Sequence, residues 1–491
     1  MPDQPVERPN ILWICTDQQR YDTLGCTGNR FVRTPNLDRL AEQGVLFERA
    51  YTQSPVCTPS RAAFLTGRYP RTTRARQNGQ DIPADEVLVT RLLADAGYVC
   101  GLAGKLHLSA CHPATGAATE RRINDGYAEF HWSHHPRPDW PANEYGQWLR
   151  EQGARFETRS FEGSRWVHAG MPAALHQTTW CAQKAITFIE AQAEAGAGRA
   201  SATRRPWLFS VNFFDPHHPF DPPEDYLRRY LDRLDEVPLP SYRPGELEHK
   251  PVFQRIDSQG AYGGRGGFAW AEMSERDHRL VRAAYWAMVD LIDEQVGRIL
   301  AALERTGQRQ RTLVVFMTDH GEMLGDHGFY LKGPHFYEPA VRIPLIVAAP
   351  GLGVLQGQRS PALVELVDLA PTVLDAAGLE RWPGMQGRSL WPLLTGRASL
   401  DRHRDDVYCE YYNGFSHRDA HATMVRTERY KLVAYHGSEP GELYDLEADP
   451  DETFNRWDDP ACASAKLALL KRLCDRMAWT ADPLPVRRGP W

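Results

Sequence analysis

Five short apolar runs, four of them ending abruptly in polar residues, limit what this chain can become more than any other feature of it. They are Asn10–Thr16, Tyr98–Leu102, Trp207–Phe214, Arg311–Thr318 and Arg342–Ala348. Such brief runs, bounded by turn residues, are the pattern of strands buried on both faces. Between them lie stretches with helical spacing: Thr34-Pro35-Asn36 opens a helix carrying Leu37, Leu40, Ala41 and Val45 and closing near Gly44, and further helices are predicted over 85–96, 178–194 and 282–303. Strands alternating with helices predict an α/β fold, a large mostly parallel sheet between helices. Asp17, Lys105, His107, His217 and Asp319 each follow the carboxyl end of a predicted strand, the edge at which open α/β sheets bind ligands. Singly, each reads as a turn or cap residue; together they define a candidate site.

A chain of 491 residues, 42% of them hydrophobic, can bury a sizeable core. Its net charge of −6, with no basic stripe, argues against nucleic acid as a partner. No run is long enough to cross a membrane, and the polar start has no apolar signal core. Nine scattered cysteines, an odd number, do not form a disulfide framework and suggest a reducing compartment, with the cytoplasm as the expected location. Nothing in the sequence decides between a monomer and a homo-oligomer.

Chemistry concentrates in Cys57-Thr58-Pro59-Ser60-Arg61 and Leu65-Thr66-Gly67-Arg68. Thr58 and Pro59 read as the cap and first residue of a short helix stopped by Gly67, which puts Cys57 at a helix N-terminus with Arg61 one turn on. The alternative is a small buried cysteine beside a helix cap. The stretch resembles the signature of the type I, formylglycine-dependent sulfatases of the alkaline phosphatase superfamily, a group that includes arylsulfatases, choline sulfatases and phosphonate monoester hydrolases.

That resemblance implies an alkaline-phosphatase-like fold and a sulfuric ester hydrolase in which Cys57 is oxidised to Cα-formylglycine by an activity of the host. It makes Asp17, Gln18, Cys57, Asp319 and His320 the ligands of one divalent metal ion, and Cys57, Arg61, Lys105, His107, His217 and Lys332 the catalytic set. Asn78 and His218 are further candidates for touching substrate. Two positions depart from the family pattern: Gln18 where a second aspartate is usual and His320 where an asparagine is usual. Oxygen donors suit Ca²⁺, the first choice, whereas the imidazole moves preference toward Mn²⁺. In the implied mechanism a hydroxyl of the hydrated aldehyde attacks sulfur, Arg61, Lys105 and Lys332 neutralise the ester oxygens, His217 or Lys332 protonates the departing alcohol, and His107 takes the proton that lets sulfate leave.

The expected substrate is a small-molecule sulfate ester whose alcohol or sugar the sequence does not identify. Gln18, Asn78 and His320 also fit a phosphonate monoester hydrolase or phosphodiesterase using the same formylglycine, whereas Lys105 and His107 fit a sulfatase. A two-metal phosphodiesterase with Thr58 as nucleophile would need a second ligand cluster, for which Asp215, His218, Asp326 and His327 give no clear set. A binding protein derived from an enzyme would have lost part of the charged set, which is complete here.

Residues from about 112 to 171 read as loops inserted around the site, with Trp132, Trp140, Trp148 and Trp166 as candidate walls, and the glycine-rich stretch 261–270 as a flexible loop. From about residue 396 the pattern changes to short strands at 407–410, 423–425, 430–433 and 441–446, then a helix over 461–478. This predicts a catalytic domain over 1–395 and a smaller antiparallel sheet with a helix over 396–491.

Overall fold

The computed structural model describes residues 8–112, 119–137, 142–196, 205–264, 267–414, 420–438 and 440–489. Its main sheet has eight strands: β1 (Asn10–Thr16), β2 (Val45–Tyr51), β3 (Val99–Gly104), β4 (Glu129–Trp132), β5 (Trp207–Asn212), β6 (Thr312–Thr318), β7 (Arg342–Ala348) and β8 (Gln358–Glu365). Their spatial order is β8-β2-β7-β6-β1-β5-β3-β4. Only β7 opposes the common direction, pairing antiparallel with β2 and β6. The chain leaves β6 at Thr318 and re-enters the sheet at Arg342 beside it, with no crossover helix between, so it must return antiparallel.

The helices that matter here are α1 (Pro35–Glu42), α2 (Cys57–Thr66), α3 (Val89–Asp95), α4 (Gln177–Ala195), α5 (Glu275–Arg305) and α6 (Leu369–Ala376). Two apolar layers sandwich the sheet: Leu12, Ile14, Phe209, Val314 and Phe316 face α4 and α5, while Ile11, Trp13, Val315 and Met317 face α2, α3 and α6. Both faces of the central strands are therefore covered, as their unbroken apolar runs require. A second sheet, a four-strand antiparallel meander, is built from β9 (Asp406–Tyr412), β10 (His421–Thr427), β11 (Tyr430–Tyr435) and β12 (Glu442–Asp445). Helix α7 (Ala463–Trp479) covers it, and Leu469 and Leu473 of α7 share one core with Tyr408, Val425, Leu432 and Ala63 of α2. Helix α2 is thus wedged between the two sheets.

Several expectations need correction. Val45 lies not on a helix face but at the start of β2, because α1 ends at Glu42 and Gly44 presses against the Val347 carbonyl, where a Cβ would come within 2.2 Å. Strand β2 was hidden by Glu48 and Arg49 interrupting its apolar pattern. Within 112–171, Glu129–Trp132 is not a loop but the edge strand of the main sheet, and Glu144–Glu151 is a helix. Trp140 lies outside the described residues. Helix α5 starts seven residues before the expected Arg282, at a capping box in which Asp277 and Ser274 bond each other's backbone N–H. The glycine-rich stretch contains a tight turn with Tyr262, Gly263 and Gly264 in the left-handed region, closed by the Gly264 N–H donating to the Gly260 carbonyl at 2.7 Å, and Tyr262 is carried toward His218.

Candidate active site

Helix α2 sets the geometry. Its N-cap is Val56, not Thr58, so Cys57 is the first helical residue and Pro59 falls within the first turn, where the missing N–H costs nothing. Thr58 is instead held through its N–H by the Asn78 side chain at 2.9 Å. Asn78, expected near substrate, caps the helix that carries the nucleophile. Gly67, in the left-handed conformation at φ 68°, stops the helix as the sequence predicts.

Around the Cys57 Sγ stand His320 Nε2 at 3.2 Å, Lys332 Nζ at 3.3 Å, Lys105 Nζ at 3.6 Å and Asp17 Oδ1 at 3.7 Å. All come from the carboxyl edge of the main sheet: Asp17 follows β1, Lys105 follows β3, and Asp319 and His320 follow β6. Gly104 makes the β3 exit possible, since at φ 106° its backbone passes so close to Asn212 that a Cβ would lie 1.9 Å from that carbonyl.

Arg61, fully buried, organises the carboxylates. Its Nε donates to Asp319 Oδ2 at 2.9 Å, its Nη2 to Asp17 Oδ2 at 3.2 Å and its Nη1 to the Lys105 carbonyl at 2.7 Å. Lys105 Nζ takes Asp17 Oδ2 as well, at 2.5 Å. With their Oδ2 atoms paired, both aspartates offer Oδ1 toward the His320 ring, at 4.0 Å for Asp17 and 3.7 Å for Asp319. His320 Nδ1–H donates to the Gly321 carbonyl at 2.9 Å, which leaves the Nε2 lone pair facing the same point. Asp17, Cys57, Asp319 and His320 accordingly converge, with ligand atoms all within 4.8 Å of one another. Two buried carboxylates, an imidazole and the Cys57 position make a donor set suited to one divalent cation.

Charge tunes each group. Burial raises the Asp17 carboxyl, but Lys105 and Arg61 outweigh it and hold that group far below the usual carboxylate range. Burial and Asp17 push the Cys57 thiol up, yet Lys105, Lys332 and His320 together bring it down to about 7. Burial disfavours charge on His320, against which Asp319 and Cys57 raise it.

Lys332 Nζ also donates to Gln18 Oε1 at 2.5 Å and to His217 Nε2 at 2.9 Å. His217 in turn directs Nδ1–H to the His218 carbonyl at 2.6 Å. Burial and Lys332 keep His217 neutral by lowering it well below its ordinary value. Gln18 places its amide between Lys332, which donates to Oε1, and Glu322, which accepts from Nε2. His218 stacks on His217 at 4.1 Å and lines a cavity of about 900 Å³ with Phe156, Trp166 and Phe268. His107, at φ 58°, sits in the loop after Lys105 with its ring against His134, 4.3 Å between centroids.

Two supporting residues were not anticipated. Glu322 accepts from Gln18 Nε2 and from the Leu324 and Leu331 N–H groups, which pins the loop carrying Lys332. The signal was an acidic residue three places after Asp319. Tyr285 of α5 donates to the Gln18 carbonyl at 2.6 Å and accepts from Arg20 N at 2.9 Å, so holding Gln18 at φ 66°. No local pattern announces it.

A family model described as Sulfatase matches residues 9–379. The chain belongs to the sulfatase family. A second model, N-sulphoglucosamine sulphohydrolase C-terminal, matches residues 325–478 of this sulfatase. It is 29% identical to an arylsulfatase of Clostridium perfringens, over 91% of this chain and 90% of that one. With a choline-sulfatase of Rhizobium meliloti it shares 31% identity, covering 92% of this chain and 83% of the relative. Its fold matches the crystal structure of a phosphonate monoester hydrolase of Agrobacterium radiobacter with a TM-score of 0.82 and 27% identity, over 98% of this chain and all of that one. The large sheet with a small antiparallel sheet beside it is therefore the alkaline-phosphatase-like architecture, and the sulfatase is a sulfuric ester hydrolase.

Proposed function

We propose that this sulfatase cleaves small-molecule sulfate monoesters with Cys57 oxidised to Cα-formylglycine and one divalent cation, Ca²⁺ before Mn²⁺, held by Asp17, Asp319, His320 and the oxidised Cys57 side chain. The observation that carries this reading is the Sγ position itself: it lies within 3.3 Å of both His320 and Lys332 and 3.7 Å of both Lys105 and Asp17. In the oxidised residue a diol oxygen stands where Sγ does. The cation, when bound, supplies Lewis acidity to a hydroxyl nucleophile.

The chain's own residues do the rest. Arg61 fixes both carboxylates so that their Oδ1 atoms point to one place. Lys105 and Lys332 flank the point of attack and neutralise the sulfuryl oxygens, where charge develops. Lys332 is the acid for the departing alcohol, because neutral His217 only accepts a hydrogen bond from it at Nε2 and its Nδ1–H is spent on a carbonyl. His107, on the loop that carries Lys105, is the base that allows sulfate to be expelled through the second diol hydroxyl, a route that a serine ester lacks. The cavity beside His218 receives the alcohol. Gln18 is a further ligand beside that donor set and orients Lys332 through its Oε1.

Mass spectrometry of the tryptic peptide 50–61, from protein made in a host with formylglycine-generating activity, tests the reading. The expected result is turnover of 4-nitrophenyl sulfate proportional to the aldehyde fraction; a fully active protein with an intact thiol overturns it. A second reading, a phosphonate monoester hydrolase with the same nucleophile, is favoured by His320, Gln18 and the likeness to that hydrolase over 98% of the chain.

A further inference from the structure

Beside the catalytic cluster lies a second convergence of donor groups, which shares His107 with the proposed reaction and adds two residues, Cys111 and His134, that the reaction does not use. His107, Cys111 and His134 are each less than 10% exposed, and their ligand atoms lie within 4.8 Å of one another. The Cys111 Sγ is 3.3 Å from His134 Nδ1, and the His134 ring stands edge-on to that of His107. A thiol donating to an imidazole would explain the first contact, but it leaves the buried Nδ1 of His107 with no hydrogen-bond partner among the described residues.

The donors are also held in place. Glu120 accepts the N–H groups of His107 at 2.9 Å, Leu108, and Ser109 at 3.1 Å, and its Oε2 takes Trp132 Nε1 at 3.1 Å. One carboxylate thus ties the turn bearing His107 to the end of β4, two residues from His134, so that two ligand-bearing segments are fixed before any ion arrives.

We propose that His107, Cys111 and His134 form a second metal site, for a thiophilic divalent ion of the zinc type, and that its occupation inhibits hydrolysis by engaging His107. Metal–ligand bonds of about 2.0–2.3 Å bring tetrahedral ligands about 3.5 Å apart, a small contraction of the present cluster. Two imidazoles and a thiolate, with no carboxylate among the three donors, select a softer ion than the neighbouring Asp17–Asp319 cluster does. On binding, the Cys111 thiol gives its proton to solvent and the fourth position stays open to water. The inhibition rests on reading His107 as the base; the binding does not, and each is measured separately.

Cobalt chloride is titrated into full-length Cys57→Ala protein with Ca²⁺ in excess, and thiolate-to-cobalt charge-transfer absorption is followed. One equivalent should develop the band, Cys111→Ser should abolish it, and His134→Ala should weaken binding about tenfold or more. Circular dichroism establishes that each variant is folded. No band, or an unchanged band in folded Cys111→Ser, overturns the site. In the active enzyme with Ca²⁺ in excess, zinc chloride should inhibit, and Cys111→Ser should raise the zinc concentration for half-inhibition about tenfold or more while leaving turnover without zinc intact. Equal zinc sensitivity of the two proteins overturns the inhibitory role.

Discussion

Replacing Lys332 with Met separates two roles that its position allows. The ammonium is 2% exposed, 3.3 Å from the Cys57 Sγ and 2.9 Å from His217 Nε2. Buried that deeply, its contribution to a developing anion is not replaced by water, and loss of one such donor costs about 3–4 kcal/mol, or roughly 10²–10³ in kcat/KM. A clamp alone would impose this loss equally on all esters. If Lys332 also gives the proton to the alcohol, an alkyl sulfate, whose leaving group needs that proton, should lose about a further 10–100-fold relative to 4-nitrophenyl sulfate, whose leaving group does not. The assay is steady-state kinetics on both esters, with formylglycine content and bound metal measured on the same preparations so that rates are per competent site. Equal losses on the two esters would remove the acid role and return it to His217. A Lys332→Met enzyme within about threefold of wild type on both, against the loss expected of a single buried donor, would refute the reading of the site.

Asp319→Ala removes one of the converging oxygens and leaves Arg61 paired with Asp17 alone; metal content by elemental analysis and turnover should both vanish while circular dichroism is unchanged. His320→Asn exchanges an imidazole for an amide oxygen and should move the preference from Mn²⁺ toward Ca²⁺ in competition binding; an unchanged ratio would place His320 outside the donor set. Arg476 of α7 reaches Glu365 at 2.7 Å, Tyr69 at 2.6 Å and Asp406 at 3.1 Å, so Arg476→Met should cost about 3 kcal/mol in urea unfolding, as for a broken buried ion pair, with kcat nearly unchanged. The same result would support a unit boundary near 395/396 that is packed firmly rather than hinged. On charge, 4-nitrophenyl sulfate should be turned over with higher kcat/KM than 4-nitrophenyl phenylphosphonate; a reversal beyond about tenfold, or 1.4 kcal/mol, promotes the phosphonate reading.

The inner strands were legible because burial on both faces leaves little room for polar residues: β1, β3, β5, β6 and β7 read as short apolar runs, and the polar exits of the first four named Asp17, Lys105, His217 and Asp319. The Cys57 helix was legible because its sequence carries its own stop in Gly67. Only β2, β4 and β8, nearer the sheet edges and crossed by charged residues such as Glu48, Arg49 and Arg359, escaped a periodicity argument. Tertiary structure alone decided the cap of α2, since Asn78, 20 residues from Thr58, supplies an acceptor that no local pattern predicts. It also turned Gln18 toward Lys332, 314 residues away, and set Tyr285 and Glu322 around it. A sequence shows which residues are compelled to be buried or to end an element. Which oxygen of Asp17 meets Lys105, and which is left facing His320, depends on how strands far apart in the chain are brought to one edge.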